Sequence, residues 1–360
     1  VKSSLSRGCS KQPPAAHSSM VKSSLPCLAV APDSPRGPSM MKYGALLLAA
    51  SSAPALGQHS AGTTQVNDPE HINRLNSVMG TGWTAGPNDF FEGLTFDQAR
   101  VVLGTALSSI EEHMGSVRNQ SVYDAVEAPD SFDARTRWQG LVHPVRDQAH
   151  CGSCWAFSAS EVLSDRVAIA TGKPSPVLSP EDMVSCDTGD MGCNGGQLAR
   201  AWSYLENTGI VTDSCFPYGA GQGKAPKCQS KCADSEQFTK TKAKSTYAIS
   251  GAANMMKEIS THGPIQVAFM VYKSFMNYKS GVYSKHFWEL LPEGGHAVKI
   301  VGYGSAGGKD YWIVANSWGT TWGEEGFFRI QRGGNACGIE KMGPPYAGLP
   351  AISPDNTLVV

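Results

Sequence analysis

The sequence predicts an α+β fold in two halves with a reactive cleft between them, and three observations carry that prediction. A thiol, Cys154, opens a helix-period run; an imidazole, His296, opens a strand-like run; and the apolar period changes near residue 240. In the first half Ala156, Ala159, Leu163, Val167 and Ala170 recur at helical spacing, and Gly172 with Pro174 stops the pattern. In the second, residues 265–269, 296–301, 311–315 and 327–330 are apolar runs separated by Gly-rich turns, the signature of strands. A mainly helical half over about 138–240 therefore carries the sulfur, and a mainly β half over about 241–345 carries the ring.

Composition bounds the rest of the chain. With 360 residues, 41% hydrophobic and 17% charged, it is globular in character. A formal net charge of −1 gives no basic face for nucleic acid or an anionic membrane, so neither is expected as a partner. Ten cysteines, eight of them between Cys151 and Cys337, point to an oxidising compartment.

Residues 1–40 are rich in Ser and Pro and repeat Val-Lys-Ser-Ser-Leu at positions 1 and 21; no fold is assigned to them. Met41-Lys42 followed by a short apolar run to Ala50 and small residues to Gly57 reads as a cleaved secretory signal over 41–57, with Met40 or Met41 as initiator. No other apolar stretch reaches membrane-span length. Residues 58–127 hold no Cys; Ile72, Leu75, Val78 and Met79 suggest a helical face, and Asn119-Gln-Ser121 is a glycosylation sequon. Residues 128–350 form the motif-bearing domain, beginning near Ala128, and 351–360 a tail.

The chemistry sits in Gln148-Ala-His-Cys-Gly-Ser-Cys154-Trp155, in His296 and in Asn316-Ser-Trp318. His296 follows Cys154 by 142 positions, inside the roughly 130–150 expected between such a thiol and its base. A helix N-terminus and an imidazolium would each favour the Cys154 thiolate, so its pKa is expected to be depressed. Gly294 and Gly295 leave room for His296 to approach the opposite wall, and Asn316 can accept a hydrogen bond that fixes the ring. Gly195 and Gly196, after Cys193-Asn, offer a bare backbone edge for an extended peptide.

Blander readings compete. Cys151 and Cys154 have redox Cys-x-x-Cys spacing, but that reading needs a compact βαβ unit and few other cysteines, and neither is present. His143, His150, His262 and His286 lack motifs and are expected to be surface or core residues; Trp322 reads equally well as a core aromatic. Gly302-Tyr-Gly304-Ser-Ala-Gly307 matches a dinucleotide-binding pattern, yet another strand follows it where a helix is required, so a hairpin turn is expected. No paired metal-ligand spacing occurs, and neither metal nor cofactor is expected.

These motifs, with Val145-Arg-Asp-Gln, Cys193-Asn-Gly-Gly, Gly294-Gly-His-Ala-Val and Ala315-Asn-Ser-Trp, resemble the papain-like cysteine peptidases and within them the cathepsin B-like type, from about His71 to Leu349. The resemblance implies a papain-like two-subdomain fold with a β-barrel-like second half, and hydrolysis of peptide bonds in peptides and proteins. It implies Cys154 as nucleophile, His296 as base, Asn316 as orienting amide and Gln148 as oxyanion donor, with Trp318 shielding the His–Asn bond. It places Leu198, Ala268 and Met342 in the second specificity pocket; cathepsin B has an acidic residue where Met342 stands, so an apolar preference is expected. It pairs Cys151 with Cys193, Cys186 with Cys228 and Cys215 with Cys232, leaving Cys337 free, although sequence alone permits other pairings. Residues 58–127 resemble an inhibitory propeptide. The stretch between Cys215 and Cys228 is short and lacks the adjacent histidines of cathepsin B's occluding loop; given this departure from the family pattern, endopeptidase action with little or no carboxydipeptidase activity is expected. A monomer in the secretory pathway, lysosomal, vacuolar or extracellular, completes the expectation. The competing functional classes are a catalytically silent, peptide-binding relative and a thiol oxidoreductase.

Overall fold

The computed structural model describes residues 63–78, 80–106 and 117–353. The segments read as an upstream stretch and a signal, the start of residues 58–127, and most of the tail lie outside the described residues.

The first described elements belong to the upstream segment. Helix α1 (Pro69–Asn76) starts at Asp68, whose carboxylate accepts from the His71 amide, with Pro69 in the first turn. It buries Ile72 and Leu75, but stops at Ser77, so Val78 is not on its face as the spacing suggested; Met79 lies outside the described residues. Strand β1 (Trp83–Ala85) and helix α2 (Phe96–Ala99), which opens with a Thr95–Gln98 capping box, follow.

Next come β2 (Phe132–Asp133), α3 (Ala134–Arg137), α4 (Cys154–Thr171), α5 (Pro180–Cys186) and α6 (Leu198–Asn207). The later chain forms β3 (Ala243–Ala248), α7 (Ala252–His262), β4 (Ile265–Val271), α8 (Lys273–Met276) and β5 (Tyr278–Tyr283). It ends with β6 (Gly294–Ala306), β7 (Lys309–Ala315), β8 (Phe327–Gln331) and β9 (Tyr346–Pro350).

The strands run in the order β1-β5-β8-β7-β6-β4-β9-β3, with β2 pairing β6. Among the described residues this path does not close: β1 and β3 are its ends, so the second half is an open sheet rather than the barrel-like one expected. The upstream segment supplies one of those ends, β1, which pairs antiparallel with β5 and covers its unpaired edge. The Gly302-x-Gly304 stretch lies within β6, and Gly307 and Gly308, both at positive φ, turn the chain into β7; this is a hairpin.

Helix α4 is buried on all sides from Cys154 to Ala168 and ends at Gly172, whose φ of 67° suits the left-handed cap. Being central, it must pair the charges it buries. Lys299 of β6 reaches Asp165 at 2.8 Å and Glu161 at 3.4 Å, and Arg166 reaches Glu258 of α7 at 2.9 Å. Through Lys299 the helix bearing Cys154 is locked to the strand bearing His296. His143 joins from the other side, bonding Asp165 and the Ser175 carbonyl, which accounts for that histidine structurally.

Among the described residues three disulfides join Cys151 with Cys193, Cys186 with Cys228 and Cys215 with Cys232, while Cys154 and Cys337 are free thiols. These are the pairs the resemblance implied, and Cys151 is thereby unavailable as a redox partner for Cys154. Among the described residues no helix is long and apolar enough to cross a membrane.

Candidate active site

Cys154 is the first residue of α4 and is fully buried. No side chain caps this helix: Ser153, the N-cap residue, bonds the Tyr218 hydroxyl at 2.8 Å instead. The Ala156 and Phe157 amides donate to the Ser153 carbonyl at 2.9 and 3.0 Å, and the Trp155 amide bonds the sulfur. His296, also fully buried, is the third residue of β6.

The ring of His296 is fixed by Asn316, just beyond β7: His296 Nε2 lies 2.7 Å from Asn316 Oδ1. The Ser317 backbone N–H donates to that same Oδ1 at 2.9 Å, so the atom must be the amide oxygen, and Nε2 must be the protonated ring nitrogen. Nδ1 is left with a lone pair and has no partner among the described residues. Trp318 lies against the ring with centroids 4.7 Å apart and is fully buried. Trp322 is fully buried in the sheet core and meets Trp318 edge to face at 5.1 Å, which favours its core reading.

Gln148 is fully buried and doubly oriented. Its Oε1 accepts from the Ser317 hydroxyl at 2.6 Å, while its Nε2 donates to the carbonyls of Cys151 at 2.7 Å and Val102 at 2.9 Å. Val102 belongs to the upstream segment, which passes directly over the site. The Gly196 amide donates to the Gly104 carbonyl at 3.0 Å, and the Ala106 amide donates to the Gly196 carbonyl at 3.0 Å, a parallel bridge centred on Thr105. The Thr105 hydroxyl lies 3.1 Å from Cys154 Sγ. Gly104 is in such close contact that a Cβ there would sit 1.8 Å from the Gly152 carbonyl oxygen. Upstream, Phe90 stacks on Trp318 at 5.6 Å and Phe91 meets it edge-on at 5.0 Å.

This cover sets the ionisation of the site. Burial pushes the Cys154 thiol up, opposed by hydrogen bonds from Thr105 and nearby backbone amides. Burial likewise lowers His296 to about 4, against the raising effect of Asn316. The depressed thiol expected from the motif is therefore not what the covered site holds: desolvation disfavours both charges, and the pair rests as thiol and neutral imidazole.

Leu198 and Ala268 fall in the same buried cluster as Cys154, whereas Met342 lies outside it, half-exposed against the turn at Gly338. His150 is exposed, its ring 6.4 Å from Phe90, and His286 stacks on Trp288 at 4.3 Å. His262 lies near Glu258, and burial lowers its pKa. Sequence reasoning missed Thr105, the Val102 carbonyl and Ser317. Thr105 and Val102 carry no catalytic signal, and Ser317 was seen only as a link in Asn316-Ser-Trp318. No group of three or more metal-binding side chains occurs among the described residues.

Residues 128–344 match the papain family cysteine protease profile. Over 314 residues, 86% of this chain and 99% of the other, the sequence is 43% identical to cathepsin B-like CP2 of Giardia intestinalis. Among solved structures, procathepsin B S9 from Trypanosoma congolense superposes with a TM-score of 0.72 at 33% identity, over 80% of this chain and 99% of that one. Digestive procathepsin L2 from Tenebrio molitor larval midgut gives a TM-score of 0.64 at 32% identity, over 78% and 87%.

Proposed function

Since this chain belongs to the papain family of cysteine proteases, we propose that it is a cathepsin B-like endopeptidase made as a proenzyme, with residues 58–127 as its inhibitory pro-segment. The observation that carries the reading is the orienting bond from His296 to Asn316, which leaves Nδ1 without a partner among the described residues at a site roofed by residues 102–106. Removing that roof returns water and relieves the burial that keeps thiol and imidazole neutral. The Cys154 proton then passes to His296 Nδ1, and the helix terminus with the imidazolium holds the thiolate.

The thiolate attacks the scissile carbonyl carbon. Charge developing on the carbonyl oxygen is met by the Cys154 backbone N–H and by Gln148 Nε2, the donor that Val102 engages in the covered form. His296 gives its Nδ1 proton to the departing amine, leaving a thioester on Cys154. Water, deprotonated by His296, hydrolyses the thioester and frees the acid and the thiol. Gly195 and Gly196 receive the substrate backbone, as Gly196 receives Gly104 and Ala106 here.

Leu198, Ala268 and Met342 line the second pocket and favour an apolar side chain one residue before the scissile position. Residues 216–227 contain no histidine to capture a terminal carboxylate, so internal cleavage dominates. The enzyme acts as a monomer, without cofactor, in the secretory pathway, whether lysosomal, vacuolar or extracellular; three disulfides support that compartment.

Stoichiometric alkylation tests the reading. One modified thiol, mapped to Cys154, should abolish hydrolysis of a Phe-Arg peptide, which should be cut faster than an Arg-Arg peptide. Full activity after Cys154 is alkylated, or efficient dipeptide release from peptide C-termini, would sink it.

A further inference from the structure

Glu258 of α7 is fully buried, and its two carboxylate oxygens serve different parts of the chain. Oε1 accepts from Arg166 at 2.9 Å and from the Tyr247 hydroxyl at 2.7 Å, both within the catalytic domain. Oε2 accepts from Arg118 at 2.9 Å and from the Tyr123 hydroxyl at 2.7 Å, both in the upstream segment. The surroundings repeat the division. The Arg118 guanidinium lies 4.4 Å from the centre of the Tyr247 ring, its amide donates to the Ala248 carbonyl at 2.9 Å, and Lys257 donates to the Tyr123 carbonyl at 2.8 Å. Burial raises the Glu258 carboxyl, but the charges of Arg166 and His262 and the Tyr123 and Tyr247 hydroxyls outweigh that and hold it at about 2. A buried carboxylate oxygen stripped of both donors is costly, which gives this face a standing affinity for a guanidinium and a phenol.

We infer that Glu258, with Tyr247, Ala248 and Lys257, forms a docking socket separate from the catalytic cleft. Its ligand is a short peptide carrying Arg next to a strand-like bridge and, five residues on, Tyr at the end of a 3-10 turn; in this chain that ligand is residues 117–123, with the turn at Gln120–Tyr123. The cleft stretch, residues 102–106, is held mainly by backbone hydrogen bonds, whereas this stretch is held by charged and phenolic side chains. The socket therefore binds its peptide when the cleft stretch is gone, and gives the pro-segment a second, independent hold. The inference rests on the reading of residues up to 127 as removable.

The test uses enzyme processed from the full chain, its N-terminus established by mass spectrometry, with Cys154 alkylated, and a fluorescent peptide of residues 117–126 followed by anisotropy. Saturable binding is expected, unchanged by alkylation. Arg118→Ala or Tyr123→Phe in the peptide should weaken it on the order of tenfold to a hundredfold. These substitutions lie in the peptide, so folding of the enzyme is not at issue; Glu258→Gln in the enzyme should match the Arg118→Ala loss. No binding, binding blocked by alkylation, variant peptides that bind like the parent, or processed enzyme that still begins upstream of Val117 would each overturn the socket. Full activity with residues 58–127 intact would instead overturn the pro-segment reading, which separates the two failures.

Discussion

The two ends of the contact between α4 and β6 are built to opposite rules. Around Glu161, Asp165, Arg166 and Lys299 each charged group has a partner, with Glu161 Oε1 the one carboxylate oxygen left open: Lys299 spans two carboxylates, His143 ties Asp165 to Ser175, and Arg166 bonds Glu258 and the Pro264 carbonyl. At Cys154 and His296 polar atoms are left open: His296 Nδ1, Asn316 Nδ2 and Trp318 Nε1 lack partners among the described residues, and the sulfur meets a hydroxyl from the upstream segment. The saturated end sets the spacing between helix and strand, so the unsaturated end can keep its bonding capacity for a substrate.

Substitutions at each end should separate these roles. The largest effect is expected from His296→Ala in the processed enzyme: kcat should fall on the order of 10⁴-fold or more while the unfolding midpoint hardly moves. Steady-state kinetics beside thermal melts decide it, and a large loss of stability would blur the contrast. Lys299→Ala should do the reverse, leaving Asp165 and Glu161 buried without their cation at a cost of about 3–5 kcal/mol in denaturant unfolding.

Gln148→Ala removes a donor from the open end and should lower kcat about 10²–10³-fold; an unchanged kcat would mean that the Val102 bond, not catalysis, explains its orientation. A pH signature should belong to the saturated end. Glu258 is ionised in both folded and unfolded chains above the ordinary 4.5, but between 4.5 and about 2 only the unfolded chain takes up its proton. Its contribution, on the order of 3 kcal/mol, is complete above 4.5 and fades as pH falls toward 2. Glu258→Gln should remove that part of the acid slope, read from melts of the full chain across the range, and an unaltered slope would deny Glu258 the role.

Much of this was legible in the letters, for identifiable reasons. The period of Ala156, Ala159, Leu163 and Val167 marks α4 because a fully buried helix still ends at a Gly-Pro stop, and the apolar runs mark β4, β6, β7 and β8 because their strands are buried too. Helix α1 was overextended, since Val78 continues the apolar spacing while the backbone turns at Ser77. The barrel-like second half came from resemblance, and no local pattern states whether a sheet closes. Thr105 and the Arg118–Glu258 contact were invisible because their meaning depends on partners 49 and 140 positions away.

The order of residues alone settled which functional groups exist: thiol, imidazole and two amides, with the helix and strand that present them, because residue type and period are local properties. Only the folded chain decided their state. It chose the Nε2–H tautomer through Ser317 and Asn316, kept thiol and ring neutral by laying residues 102–106 over them, and split one carboxylate between two segments. Protonation and hydrogen-bond partnership depend on what surrounds a group in space, and those surroundings are drawn from parts of the chain that no local reading joins.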